Sequence, residues 1–147
     1  ALVDLLLLSL LLVTGFVGCA EFGSVALVHP VIRRLPVESQ VVIEKGLLRT
    51  FGLVMPLGMT AAAVLAGFGA SRYGTVWLGI AAGVLTIALL VTVFGNVPLN
   101  FWTGRIPNGE VPANFRTKRR RWDVYQAVRG SLQLLGFVLV CISTAAS

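Results

Sequence analysis

The chain has 147 residues, of which 56% are hydrophobic and only 12% are charged, and its mean hydropathy of +0.88 excludes an ordinary soluble globular domain. The formal net charge is +6, but the basic residues flank hydrophobic segments, which is typical of a membrane topology signal and argues against nucleic-acid binding. The composition therefore predicts a single integral membrane domain over residues 1–147, in contact with the lipid bilayer.

Four segments reach the roughly 20 apolar residues that are needed to cross a bilayer. They cover about residues 2–28, 46–70, 75–98 and 122–145. The short link 71–74 makes the second and third segments antiparallel neighbours, and two longer links lie at the opposite end. We therefore predict an all-α fold, a four-helix antiparallel transmembrane bundle.

The two ends of this bundle differ in their basic residues. Arg72 alone belongs to the end with the short link. The end with the longer links carries Arg33, Arg34, Lys45, Arg49, Arg105, Arg116, Lys118, Arg119, Arg120 and Arg121. The positive-inside rule then places the longer links in the cytoplasm and both chain termini outside.

Small residues indicate where helices meet. Gly79 and Gly83 form a GxxxG pair in the third span, and such pairs let helix backbones approach closely. We expect this face to pack inside the bundle, and the alternative is that it receives a partner helix, including one from a second copy of the chain.

Two charged residues lie inside the spans, Glu21 in the first and Arg129 in the fourth. A charge at the centre of a span costs about 2.5–3.5 kcal/mol on insertion scales, so each needs a partner or a function. Both lie eight residues from the long-link end of their helix, at a depth of about 12 Å, and we expect them to meet. Trp122 and Gln126 share the helix face of Arg129, since their spacings are three and four.

The third span ends in two amides, Asn96 and Asn100, with Pro98 between them. Residues spaced i and i+4 share one helix face, so we expect the amides to form one wall of a polar pocket and Arg49 to form another. Trp102 is either part of the interfacial aromatic belt or the rim of this pocket. The competing interpretation is structural, with an ion pair that fixes helix order and amides that join helices.

Several motifs resemble one membrane family. Asn96-Val97-Pro98-Leu99-Asn100 is followed along the chain by Arg120-Arg121-Trp122 and Val128-Arg129, an order similar to that of the family that includes the anthrone oxygenases of aromatic polyketide pathways. His29-Pro30 and Leu35-Pro36 look like the same family. Members often carry Asn-His before the Val-Arg pair, whereas this chain has Tyr125-Gln126, so no histidine-based role is expected at that position. The family has many bacterial members, so the resemblance implies that the protein lies in a bacterial cell membrane.

The resemblance implies an oxidoreductase, of the monooxygenase kind, that uses O2 to oxidise an activated methylene between two aryl groups to a quinone. Its partners are O2 and an apolar aromatic molecule that is anthrone- or hydroquinone-like. The acidic C–H needs a base, and the resulting anion needs donors. His29, the only histidine, is the expected base, and Glu21 is the second expected catalytic residue, which orients His29 or Arg129. The expected substrate-binding residues are Asn96, Asn100, Trp102, Trp122, Gln126 and Arg129.

The cofactor and the functional class have alternatives at this point. A carbanion can pass an electron to O2 directly, so the reaction requires no cofactor. The alternative is a single iron or copper ion, although such sites usually have two or more histidine ligands and this chain has one. The alternative function is a non-enzymatic membrane subunit or small-molecule binder whose polar cluster is structural. A transporter or channel is less favoured, because the sequence has no inverted repeat.

Overall fold

The computed structural model describes residues 2–146, which are helical apart from short links. The helices are α1 (Leu5–Gly23), α2 (His29–Ile32), α3 (Val37–Leu47), α4 (Phe51–Tyr73), α5 (Val76–Val91), α6 (Val97–Gly104) and α7 (Phe115–Ala145). Two π-helical turns, Ser24–Val28 and Thr92–Asn96, join α1 to α2 and α5 to α6. Four stretches are long and apolar enough to cross a membrane, namely Leu5–Ile32, Phe51–Tyr73, Val76–Gly104 and Phe115–Ala145. The predicted all-α bundle of four spans is confirmed.

The four spans form an antiparallel ring in which α1 and α5 each pack against both α4 and α7. One end, which we call the terminal end, carries the start of α1, the end of α7 and the turn between α4 and α5. Gly74 makes this turn with a φ of +66°, a left-handed conformation that glycine adopts without strain. The hydroxyl groups of Thr75 and Ser143 lie 2.9 Å apart there. The opposite end, the loop end, carries α2, α3 and residues 105–114.

Two spans continue further toward the loop end than their sequence predicts. Each contains a π-helical turn that is followed within two residues by a proline, Pro30 or Pro98. Proline lacks an N–H group and its ring crowds the carbonyl one turn earlier. In the wider π-helical turn the N–H of His29 donates to the carbonyl oxygen of Ser24, five residues earlier. The helix therefore remains hydrogen-bonded next to the proline and continues beyond it.

The loop end is covered by α3, which the sequence did not predict as a helix. Val41 of α3 is buried against Ile106 and Phe115, and Lys45 donates a hydrogen bond to Asn108 at 2.9 Å. The start of α7 at Phe115, earlier than predicted, belongs to the same packing. This layer closes the bundle above the polar residues of the spans.

Buried residues divide the bundle into two halves. The half near the terminal end buries an apolar cluster of Leu10, Ala62, Ala66, Leu78, Ala81, Leu85, Leu139 and Val140. The half near the loop end buries polar and charged side chains, among them Glu21, Ser24, His29, Glu44, Asn96, Arg119, Gln126, Arg129 and Gln133. Buried polar groups are costly without partners, so the loop half is where a functional site is expected.

The glycines that let helices approach are not those of the GxxxG pair. A Cβ atom on Gly79 or Gly83 would meet no atom within 4 Å, so the prediction that this face packs inside the bundle is wrong. A Cβ on Gly18 would lie 2.8 Å from the carbonyl oxygen of Gln133, and one on Gly130 would lie 3.2 Å from a carbonyl oxygen of α1. The close contact is therefore between α1 and α7, next to the predicted ion pair.

Candidate functional site

The polar side chains of the loop half surround a cavity between α2, α3, α4 and α7. Its polar lining consists of Ser24, His29, Glu44, Asn100, Arg119, Trp122, Gln126 and Arg129. Leu48, Phe51 and Pro56 form the apolar wall. The cavity volume is about 20 Å³, which is room for one small molecule, since a water needs about 10–15 Å³ on this measure.

His29 is buried in the wall of this cavity and is held from two sides. Its Nδ1 atom lies 2.8 Å from the hydroxyl oxygen of Ser24 and 3.2 Å from the main-chain oxygen of the same residue. Its Nε2 atom lies 3.6 Å from Oε1 of Glu44, and its ring lies 4.9 Å from the ring of Trp122. Because one nitrogen faces a hydroxyl and the other faces a carboxylate, the orientation of the imidazole is fixed.

Glu44 is the centre of a buried charge cluster above His29. Its Oε1 atom lies 2.9 Å from Nη1 of Arg33, and its Oε2 atom accepts a hydrogen bond from the buried Arg119. Arg33 also donates two hydrogen bonds to Asp123, at 2.6 and 2.7 Å. Burial by itself would raise the pKa of Glu44, but the facing His29 ring and the two guanidinium groups outweigh burial and lower this pKa below its ordinary value. Glu44 is therefore a carboxylate at neutral pH.

Glu21 and Arg129 meet as predicted, with 2.9 Å between Oε2 and Nε. Arg129 also donates to Oε1 of Gln126, which leaves Nε2 of Gln126 without a partner among residues 2–146. Gln126 and Arg129 line the cavity, whereas Glu21 does not. Of the two expectations for Glu21, the geometry supports an orienting contact with Arg129, while His29 is oriented by Ser24 and Glu44.

The two amides of the third span both hold Trp122. Asn96 is fully buried and donates from Nδ2 to the carbonyl oxygen of Trp122 at 3.4 Å. Asn100 accepts a hydrogen bond from the indole Nε1 of Trp122 at 2.7 Å. Asn100 and Trp122 line the cavity and Asn96 does not, so Asn96 acts on the site through Trp122.

Arg49, predicted to form a pocket wall, and Trp102, predicted to form the pocket rim or part of the aromatic belt, both lie outside the cavity lining. Arg49 is exposed at the loop end, and the wall assigned to it is formed instead by Glu44, because α3 folds back over the spans. Trp102 lies in the covering layer, with its ring 6.3 Å from that of Phe115 and 5.3 Å from Nζ of Lys118. Neither residue lines the cavity.

Sequence reasoning missed Glu44 and Ser24, whereas Arg119 lies on the predicted polar face of the fourth span, three residues before Trp122. A signal for Glu44 existed, since Gln40 and Glu44 are spaced by four and share a helix face, but the segment was interpreted as a link. For Ser24 there was no such signal, because its contact with His29 depends on the π-helical turn.

The donor set for a metal ion is small. Within residues 2–146 no group of three or more His, Cys, Asp or Glu side chains is placed to hold a metal ion. His29 and Glu44 are neighbours, but both carboxylate oxygens of Glu44 face guanidinium groups. These residues do not fit an iron or copper site, which usually draws on several imidazoles.

An apolar groove of about 460 Å³ adjoins the cavity between α4 and α6. Leu48, Gly52 and Asn100 line both the groove and the cavity. Leu53 and Phe101, on the outer part of the groove, are 63% and 64% exposed and belong to candidate spans. The groove therefore opens toward the bilayer, and its inner end meets the cavity.

Comparison with protein families supports the resemblance seen in the sequence. A family model described as anthrone oxygenase matches residues 40–139, which is 100 of the 147 residues. The matched segment includes Glu44, Asn100, Gln126 and Arg129, whereas His29 and the rest of α1 and α2 precede it. No curated protein and no solved structure matches the chain. Because the family model covers most of the chain and carries most of the cavity lining, the protein belongs to the anthrone oxygenase family.

Proposed function

We propose that the protein is a membrane oxygenase that oxidises an apolar aromatic substrate, anthrone- or hydroquinone-like, with O2. The observation that carries this proposal is the buried His29, which Ser24 and Glu44 hold at the wall of a cavity lined by guanidinium and amide groups. Membership of the anthrone oxygenase family also supports oxygenase-like chemistry.

The proposed reaction needs no reactant besides the substrate and O2. An anthrone loses a proton from its methylene group to a base, and the negative charge is delocalised onto the ring oxygen. The carbanion transfers one electron to O2, and the radical and superoxide combine to a peroxide anion at the same carbon. This anion takes the proton back from the base and becomes a hydroperoxide. Loss of water leaves a carbonyl group there, so one anthrone and one O2 give one quinone and one water.

His29 is the proton acceptor in this scheme. With its hydrogen on Nδ1, the ring donates to the main-chain oxygen of Ser24, and Nε2 is free to accept a proton. The Glu44 carboxylate, 3.6 Å from Nε2, stabilises the imidazolium that forms. General-base catalysis of this kind contributes about 10²–10⁴-fold to a rate.

Donors for the developing anion come from the opposite wall. Arg129 is oriented by Glu21 and lines the cavity. Nε2 of Gln126 is a buried N–H donor without a protein partner among the described residues, and a substrate oxygen would satisfy it. Fixed donors in a dry site stabilise an anion more than water does, because they need no reorganisation.

The cavity has room for about one water-sized molecule, so a three-ring substrate requires more room. The apolar groove supplies that room, and Leu48 lines both the groove and the cavity. We infer that the ring system enters from the bilayer through the groove and that its reacting carbon passes Leu48 to reach His29. With the longer links in the cytoplasm, the reaction would occur near the inner membrane face.

The test is turnover of a panel of anthrones and hydroquinones by purified protein in detergent, measured above the uncatalysed oxidation. His29→Gln should lower kcat by about 10²-fold or more, while Glu38→Gln, an exposed change on α3, should not change it. Incorporation of one ¹⁸O atom from labelled O2 into the new carbonyl would check the scheme. Equal turnover by the wild type and a folded His29→Gln variant would refute the role of His29. No turnover of any panel member by the wild type would favour a structural polar cluster and a non-enzymatic role.

Access through the groove has its own test. Leu48→Trp should raise KM for a three-ring substrate by about tenfold with kcat little changed, because a lost entry path affects binding more than chemistry. Leu57→Trp is the control, since Leu57 is 75% exposed on α4 and lines neither the groove nor the cavity. An unchanged KM in Leu48→Trp would exclude this route.

A further inference from the structure

A second groove at the loop end has a lining that the oxygenase site does not explain. Its volume is about 450 Å³. Five of its lining residues are arginines and one is acidic, namely Arg33, Arg34, Arg116, Arg119, Arg120 and Asp123. These arginines come from the chain after α2 and from the first turns of α7, so two separate segments converge on one space.

The positive charge of this groove is only partly neutralised within the protein. Asp123 and Glu44 are the carboxylates in contact with its arginines, and they pair with Arg33 and Arg119. The three remaining arginines, Arg34, Arg116 and Arg120, are exposed. Their side chains have no hydrogen-bond or ion-pair partner among residues 2–146. An excess of positive charge therefore faces the groove.

The N-terminus of α7 adds to this potential. The helix is 31 residues long, has no acidic residue in its first turn, and receives no side-chain hydrogen bond from its N-cap Asn114. Helix N-termini carry a partial positive charge and unpaired N–H groups, and cations placed there are unfavourable unless an anion is present. Arg116 lies in this first turn and lines the groove.

An apolar path leads from the groove into the membrane. A smaller groove of about 190 Å³ shares Arg33 and Asp123 with it. Val25 and Pro30 form the apolar side of this smaller groove, and His29 and Gln126 of the cavity also line it. Val31, next to this path, is 59% exposed. These residues lie on or next to the candidate span Leu5–Ile32, so a molecule with an anionic head and an apolar tail fits the two grooves together.

We propose that the arginine-lined groove binds a phosphate-type anion carried by an amphiphile of the surrounding bilayer. The guanidinium groups bind the phosphate oxygens and the apolar path receives the first part of the acyl chain. Clusters of arginine and lysine at a membrane surface attract anionic lipid head groups in this way. Free phosphate offers the same head-group chemistry without the chain, and the experiment separates the two.

The experiment measures binding and not turnover, so it is independent of the oxygenase proposal. The full chain, purified in an uncharged detergent, is titrated with phosphatidylglycerol, phosphatidylcholine or sodium phosphate at constant ionic strength. Thermal unfolding and native mass spectrometry report binding. Phosphatidylglycerol should raise the unfolding midpoint and remain bound one to one, and phosphatidylcholine should not.

Two double variants, each of which removes two positive charges, test whether the arginine-lined groove is the lipid-binding site. Arg34→Gln/Arg116→Gln should weaken phosphatidylglycerol binding by about tenfold or more, while Arg49→Gln/Arg121→Gln should change it by less than about twofold. All four side chains are exposed, and Arg120→Gln is the single-site variant should the first pair fail to fold.

The remaining outcomes are also decisive. If sodium phosphate stabilises the wild type as well as phosphatidylglycerol does, and only the groove variant loses the effect, the groove is a site for the free anion. Equal loss in both double variants would show diffuse attraction to a basic surface and would overturn the proposal. Equal binding of the two lipids by the wild type would overturn it as well.

Discussion

The two halves of the bundle are built on the same four spans but bury opposite chemistry. The terminal half packs leucine, alanine and valine side chains in one apolar cluster. The loop half buries the ion pair of Glu21 and Arg129 and, above it, that of Glu44 and Arg119. In lipid the apolar half depends on close packing, since moving apolar groups from lipid to protein yields no hydrophobic gain.

This contrast separates stability from chemistry. A buried charge is tolerated only with its partner, so every residue of the loop half is coupled to others. A leucine of the terminal half interacts with its neighbours only through close packing. We therefore expect substitutions in the loop half to change both activity and stability, and substitutions in the terminal half to change stability alone.

The largest effect is expected for Glu44→Gln. It leaves Arg33 and Arg119 beside a neutral group and removes the carboxylate that faces His29. The free energy of unfolding should fall by about 3 kcal/mol or more, as for other buried pairs that lose one partner, and turnover should fall by about tenfold or more. Denaturation in detergent and an O2-consumption assay measure the two effects, and Glu38→Gln is the exposed control on the same helix. Identical behaviour of the two variants would remove Glu44 from the site.

A large change in stability without a change in chemistry is expected for Leu85→Ala. Leu85 is fully buried in the terminal half. Its truncation should cost about 2 kcal/mol, at the low end of the range for buried leucines, because in lipid the cavity term remains and the transfer term is absent. Leu90→Ala on the same helix, where the side chain is 50% exposed, should cost much less. The contrast between the halves would fail if kcat of Leu85→Ala fell as far as that of Glu44→Gln.

A smaller loss is expected where α1 and α7 approach most closely. Gly18→Ala would push a methyl group to 2.8 Å from the carbonyl oxygen of Gln133, and such overpacking costs about 1–3 kcal/mol. Gly83→Ala, whose Cβ would meet no atom, should be neutral or slightly stabilising. Thermal unfolding of the two variants side by side measures the difference. A larger loss for Gly83→Ala would mean that the GxxxG face is occupied by a partner helix.

The smallest effect near neutral pH is expected from the titration of Glu44. Its pKa in the folded protein is lower than the ordinary value of 4.5, so its contribution to stability is fully present above about pH 4.5. That contribution is lost as the pH falls through the lower pKa of the folded state. The difference in unfolding midpoint between the wild type and Glu44→Gln should therefore not shrink between pH 8 and pH 5, and it should shrink below pH 4.5. A difference that shrank already between pH 7 and pH 5 would contradict this assignment.

Part of the candidate site followed from local pattern. Arg129, Gln126 and Trp122 line one cavity wall because their spacing of three and four places them on one face of α7. The meeting of Glu21 and Arg129 followed from equal depth in antiparallel spans. Ser24 was beyond such reasoning, because a π-helical turn changes the spacing that face arguments assume.

The sequence by itself determined the four spans, their antiparallel order and the depth of the two charges within them, because hydropathy and helical rise are local properties of the chain. Only the tertiary structure decided which faces meet. It brought Gly18 and not Gly83 into contact, and it folded α3 over the loop end so that Glu44, and neither Arg49 nor Trp102, closes the cavity above His29. The physical reason is that the rotation of each helix about its axis and the path of a connecting segment depend on packing between segments that are far apart in the sequence. A local hydrophobic pattern contains no information about that packing.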